Sequence, residues 1–215
     1  MNTTVKAIIW VVVLGIVAWA GYALLGSQPA MPAEEVAPVV VEPIKIGVIA
    51  PLTGESATYG EPMRNVIELA INEINAQGGV NGAQLIPIYE DDKCTGEGGV
   101  SATQKLVNVD GVKVIIGSAC SGATLAAIPV VEAGQVALFS PGASSPDLTG
   151  KSRFFSRDYP SDSSQGIVLA DAAYTLKKWK KIAVIQEQKD YPLGIFKAFE
   201  VQFKSLGGTV VKEEF

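Results

Sequence analysis

"IKIGVIAPL", residues 44–52, is a short and nearly continuous apolar run, the pattern of a β-strand buried on both faces. The period changes immediately after it. Met63, Val66, Ile67, Ala70, Ile71 and Ile74 recur at three- and four-residue spacing along one helical face, and Gly78-Gly79 is expected to stop that helix. The alternation then repeats to the last residue. Strands are expected at QLIPIYE (84–90), VKVIIG (112–117), VALFS (136–140), RFFSR (153–157), KIAVIQE (181–187) and TVVKEEF (209–215). The helices between them are expected at residues 100–109, 122–132, 162–178 and 193–205. Repeated strand-helix units of this length imply a mostly parallel, doubly wound α/β sheet.

In such sheets ligands bind beyond the carboxyl ends of the strands, where the strand order reverses. The segments that follow the strands here are TGESATYG (53–60), SACSGAT (118–124), SPGASSP (140–146), RDYPSDSSQG (157–166) and EQKDYPLG (187–194). Small hydroxyl residues, glycines and tyrosines therefore collect on one rim. On the opposite rim, AQGGVNGA (76–83) and NVDG (108–111) are plain turn sequences.

What that rim could do chemically is narrowed by elimination. The stretch GSACSGATLA (117–126) invites a nucleophile-elbow reading, but Ser118 stands where the elbow frame wants its first glycine. The chain has no histidine, which removes the usual general base, most Cys/His proteases and His-containing zinc sites. No Gly-x-Gly-x-x-Gly or Gly-x-x-x-x-Gly-Lys-Ser/Thr loop follows any strand, so a nucleotide cofactor is not expected, nor any other cofactor. A formal net charge of −5 argues against nucleic acid as a partner. Hydroxyls and helix-start amides remain, and these suit small anions such as a carboxylate. Ser121 could equally be an ordinary N-cap.

Asp91 and Asp92 tempt a metal reading. Adjacent acids at a strand end point opposite ways and lack further oxygen ligands, so a solvated turn and no metal are expected. The lysines of KKWKK (177–181) fall at an expected helix C-terminus, where they complement the dipole.

The N-terminus has a separate role. Residues 7–25 are nineteen residues without a charge, preceded by Lys6, long enough to cross a bilayer at about 1.5 Å per residue. The apolar run exceeds the usual signal-peptide core, and its one Ala-x-Ala, Ala18 to Ala20, lies inside it. An uncleaved signal anchor is expected, with Lys6 inside and Glu34 and Glu35 outside; a cleaved signal peptide is the alternative. Residues 27–43 carry four prolines and three glutamates and suit an extended spacer reaching up to roughly 50 Å at about 3.1 Å per residue.

Taken in order and spacing, IKIGVIAPLTGESATYG, INEINAQGGVNG, YEDDKC, SPGASSPDLT and RDYPSDSSQG resemble the amino-acid-binding (Leu/Ile/Val-type) substrate-binding proteins of ATP-driven importers, from Ile44 to the end. The resemblance implies a type I periplasmic-binding-protein-like fold, two parallel-sheet lobes that close on a ligand. It implies no enzyme but a receptor outside the cytoplasm. Such a receptor passes a small amino acid or amide to the membrane subunits of an ABC importer. A sensor domain of the same fold, signalling through a membrane partner, is the alternative. The domains expected are an anchor (1–26), a linker (27–43), a first lobe (44–160) and the start of a second lobe (161–215). Family members run well past this length, so the second lobe is expected to be incomplete.

By position, the resemblance makes Cys94 and Cys120 a disulfide and Ser121 the residue that takes a ligand carboxylate. Gly142, Ala143 and Ser144 match the stretch offering a carbonyl and a hydroxyl to the ligand's ammonium. Tyr59 matches an aromatic wall of the side-chain pocket. Tyr191 matches a second-lobe aromatic, although Pro192 replaces the family's usual glycine beside it. Arg157, Asp162 and Gln165 match the crossing between lobes and are expected to be hinge residues.

Overall fold

The computed structural model describes residues 2–26 and 41–215. Most of the proline- and glutamate-rich spacer, residues 27–40, lies outside the described residues. The described residues divide into two units, residues 2–26 and residues 41–215. In the first, helix α1 (Thr3–Leu25) is apolar on every side, with a mean hydropathy of 2.3 over its most apolar stretch. At about 1.5 Å per residue its 23 residues measure roughly 34 Å, enough for a bilayer's hydrocarbon core.

The second unit opens with β1 (Ile44–Ala50), α2 (Ala57–Ala76), β2 (Leu85–Asp91) and α3 (Gly96–Gln104), which runs on through a π-turn at Lys105–Val109. Next come β3 (Val114–Ile116), α4 (Ser121–Gly134), β4 (Ala137–Ser140) and β5 (Phe155–Arg157). These five strands form one sheet in the order β2-β1-β3-β4-β5, every neighbouring pair parallel. The chain winds outward from β1 to β2 on one side and to β3 on the other, so the order reverses between β1 and β3.

Strand β1 shows why an unbroken apolar run is needed at the centre. Successive side chains point to opposite faces. Ile49 joins a cluster with Ala102, Leu106, Ala127 and Val131 of α3 and α4, while Val48 joins Ile67 and Ile71 of α2 on the other face. Burying each such side chain contributes about 1.5–3 kcal/mol. The stripe on α2 is narrower than its spacing suggests. Ile67 and Ile71 are buried and Met63 packs beside them, whereas Val66 is 65% exposed.

After β5 the chain crosses into α5 (Ser163–Asp171), which ends in a π-turn at Ala172–Leu176. Strand β6 (Lys181–Ile185), α6 (Asp190–Ser205) and β7 (Thr209–Glu214) follow, and β6 and β7 pair in parallel as a separate sheet. Phe203 is its anchor, stacked on Phe199 and met edge-on by Tyr174, with Ala170, Ile182 and Val210 packed around. Ile185 and Val211 are 84% and 58% exposed.

Helix α6 also reaches the first sheet's rim. A Cβ on Gly194 would stand 2.7 Å from Pro146 Cδ and 2.8 Å from Ser145 Oγ, so only glycine allows this approach. One turn along, Lys197 Nζ pairs with Asp147 at 2.8 Å. The helix starts at Asp190, three residues ahead of the expected start at residue 193, with Pro192 in its first turn, where proline's missing N–H costs nothing.

Candidate ligand-binding site

The site is built where the strand order reverses. At the end of β3, Gly117 has φ +121°, and a Cβ there would lie 1.9 Å from the Ile49 carbonyl oxygen. A side chain would be excluded both by conformation and by space. Gly117 thus lies directly against the β1 backbone, and Ser118 follows it. Its hydroxyl accepts from Cys120 N at 2.9 Å, and its carbonyl accepts from Ser140 Oγ at 2.5 Å.

Cys94 and Cys120 are joined by a disulfide with their Cα atoms 5.3 Å apart. It fastens the loop after β2 to the start of α4, where Cys120, not Ser121, is the N-cap residue and provides no side-chain cap. Ser121, the first helical residue, is 4% exposed. Its Oγ accepts from Ser145 N at 3.1 Å, so the hydroxyl ties two loops together and keeps its own proton to donate. Helix-start amides have no partner within their helix, and at α4 these are the amides of Ser121, Gly122 and Ala123, since Thr124 N already donates to Cys120 O at 2.9 Å.

The loop after β4 is shaped by polar side chains. Ser140 Oγ accepts from Ala143 N at 2.9 Å and from Gly142 N at 3.3 Å. Arg157 Nη1 donates to the carbonyls of Ala143 and Ser145, both at 2.9 Å, and Nη2 to Thr149 Oγ1 at 2.8 Å. Arg157, expected at a hinge, thus stitches the loop that carries Ser144. Ser144 is 3% exposed, and its carbonyl accepts from Asp162 N at 3.0 Å. Its side chain has no hydrogen-bond partner among the described residues.

The aromatic residues stand around this rim. Tyr59 sits in the first turn of α2 and is 73% exposed; Tyr191 sits in the first turn of α6 and is 48% exposed. Burial holds the Tyr191 phenol above its ordinary range, with further upward contributions from Asp162, Tyr159 and Tyr59, each of which lies within electrostatic reach of Tyr191. Gln165 lies on the exposed side of α5.

The expectation of a solvated turn at Asp91 and Asp92 is corrected. Asp92 is wholly buried, and its Oδ1 accepts from Cys94 N at 2.9 Å. Burial raises its pKa against the lowering effect of Ser118 and Cys94. Asp91 Oδ1 accepts from Leu52 N and Lys93 N, both at 2.9 Å, and Oδ2 from Thr53 Oγ1 at 2.5 Å. Burial pushes its pKa up, but these bonds outweigh burial and leave it lowered. Together the two acids pin the loops after β1 and β2. Only their adjacency at a strand end was visible in sequence, and adjacency does not reveal which donors the fold brings to them.

A parallel sheet with amides and hydroxyls gathered where its strand order reverses, followed by a crossover into a second parallel sheet, defines the class of small-ligand-binding α/β proteins. The chain belongs to the periplasmic binding protein family, whose model matches residues 43–215. It is 36% identical over 158 residues to the leucine-, isoleucine-, valine-, threonine- and alanine-binding protein of Pseudomonas aeruginosa, covering 73% of this chain and 42% of that one. Among solved structures it resembles the branched-chain amino acid transporter substrate-binding protein of Streptococcus pneumoniae in complex with isoleucine. The TM-score is 0.68 and the identity 32%, over 80% of this chain and 49% of that one. A solute-binding protein of Rhodopseudomonas palustris in complex with 3,4-dihydroxybenzoic acid is also similar, with TM-score 0.67 and 26% identity, over 80% of this chain and 46% of that one. The chain thus spans about half the length of the relatives it matches.

Proposed function

We propose that this chain is the ligand-capturing part of an extracytoplasmic receptor for a small amino acid or amide, which it delivers to the membrane subunits of an ABC importer. Helix α1 holds it to the membrane as an uncleaved anchor. Residues 44–160 form the first ligand-binding lobe and residues 161–215 belong to the second. The observation that carries this reading is the pairing of Ser121 and Ser144. Ser121 sits at the start of α4 with an unspent hydroxyl proton beside helix-start amides, which together suit a carboxylate. The unpartnered Ser144 hydroxyl, one loop away, suits the neighbouring polar group of the same ligand, with the Gly142 carbonyl beside it.

The side chains gathered here are hydroxyls, whose chemistry without a base is hydrogen bonding, which favours binding over catalysis. Relatives named for binding leucine, isoleucine and valine support the same reading. Tyr59 and Tyr191 are assigned to the walls around the ligand's side chain.

A thermal-shift screen of the full chain against amino acids, amides and urea tests it, because a ligand bound only by the native state raises the melting temperature. A rise with at least one small zwitterion is expected. No shift across the whole panel would refute the proposal.

A further inference from the structure

Helix α6 brings an acid without a counter-charge to the start of α4. Asp190 is the first residue of α6, and a Cβ on Gly122, the second residue of α4, would stand 2.7 Å from its Oδ2 and 3.7 Å from its Cγ. The carboxylate of a residue beside the second sheet therefore lies against the first turn of a helix that packs on the first. Asp190 is exposed and forms no ion pair among the described residues, and the neighbouring Lys189 is paired with Glu187 at 2.9 Å.

Neighbouring contacts hold this placement. One turn along α6, Gly194 packs closely on Ser145 and Pro146, and Lys197 pairs with Asp147 at 2.8 Å. Ser145 is in turn bonded through its N–H to Ser121 Oγ at 3.1 Å. The start of α6 and the start of α4 are thus tied to the same loop. At the start of α4, the amides of Ser121, Gly122 and Ala123 have no partner within the helix and mark the positive end of its dipole. A carboxylate beside that end is attracted to it, and it repels a second carboxylate that arrives there.

We infer that Asp190 is a specificity-determining residue that competes with the carboxylate of an incoming ligand for the start of α4. The rim then binds a ligand with a carboxylate head less tightly than its hydroxyls and amides alone would allow, while a ligand with a neutral head meets no such repulsion. This deepens the function proposed above and rests on it. An aspartate against a carboxylate-binding helix start sets the balance between amino acids and amides, the two ligand classes that the proposed function leaves open.

The test compares L-leucine with L-leucinamide, in which a neutral amide replaces the carboxylate. Each is titrated calorimetrically into the full chain in detergent, as wild type and as Asp190→Asn. Removing the charge is expected to tighten leucine roughly 3- to 30-fold while leucinamide changes less than about twofold, since Coulomb repulsion is relieved for one ligand only. The gain for leucine should shrink as salt is raised from about 20 mM to about 500 mM, because interactions between exposed charges are screened. Equal gains for both ligands, or a gain that salt does not change, would mean that Asp190 only shapes the loop. An unchanged or weaker affinity for leucine would mean that it does not oppose the carboxylate. Each of these results overturns the inference and leaves the binding function standing. If neither protein binds leucine, the inference falls; if no member of the wider panel binds either, the binding function falls with it. Should the asparagine variant fail to melt cooperatively, Asp190→Ser is read out in the same way.

Discussion

Reducing the Cys94–Cys120 disulfide is expected to cost stability in an amount set by the loop it closes. The two cysteines are 26 residues apart. On the chain-entropy model, constraining a loop of that length in the unfolded state contributes about 3.5 kcal/mol at 25 °C. Both cysteines are only partly buried, so replacing them by alanine adds little cavity penalty. For a chain of this size one kcal/mol shifts the melting temperature by about 2–4 °C, which places the loss near 7–14 °C. Differential scanning calorimetry of the oxidised wild type, the reduced wild type and the Cys94→Ala/Cys120→Ala double variant measures it. The two disulfide-free forms should melt together, well below the oxidised one. The bond also ties the Asp92 loop to the N-cap of α4, so ligand affinity should fall with it. A shift smaller than about 2 °C would refute the reasoning, since it would mean that the unfolded chain gains no freedom when the bond is cut.

Arg157→Ala leaves the buried carbonyls of Ala143 and Ser145 without their donor and should cost about 2–4 kcal/mol in urea unfolding. Arg157→Lys should recover only part of this, because an ammonium cannot reproduce the planar fork. Asp91 has a lowered pKa in the folded state, so its contribution to stability is full above the unfolded value near pH 4 and is lost as pH falls through the folded one. Asp91→Asn should therefore be less stable at pH 7 and lose less on acidification to about pH 2.5, as followed by urea midpoints; parallel loss in both proteins would contradict this. If α1 is an uncleaved anchor, mass spectrometry of the membrane fraction should find the N-terminus at residue 1 or 2, and a soluble product starting between residues 20 and 35 would identify a signal peptide instead.

Much of the architecture is legible in the chain because burial on two faces leaves an unmistakable pattern. Val48 and Ile49 are adjacent apolar residues that enter different clusters, and the continuous run at 44–52 required both. Helix ends were less legible. Helix α3 starts at Gly96, ahead of its apolar stripe, because Thr95 caps it by accepting from Gly98 N at 3.0 Å. The π-turns that close α3 and α5 leave no mark in hydrophobic spacing.

The site was legible as a set of loops but not as a set of bonds. Hydroxyls and glycines after the strands located the rim, since sheet topology alone brings those loops together. Which partners each polar group finds depends on contacts between residues far apart in sequence. Ser121 reads as an N-cap yet bonds Ser145 across 24 residues, and Arg157 reads as a hinge yet holds the loop of Ser144. Asp92 reads as solvated yet is wholly buried, with its carboxylate accepting from Cys94 N.

The central claim is that the start of α4 receives a ligand carboxylate, and it is tested most directly by calorimetric titration of L-leucine into wild type and Ser121→Ala. Affinity, not melting temperature, is the deciding quantity, since Ser121→Ala also deprives the buried Ser145 N–H of its acceptor. Loss of a charge-assisted hydrogen bond of about 1.5–3 kcal/mol corresponds to a dissociation constant roughly 10- to 150-fold higher in the variant. Equal affinity in the two proteins would contradict the claim.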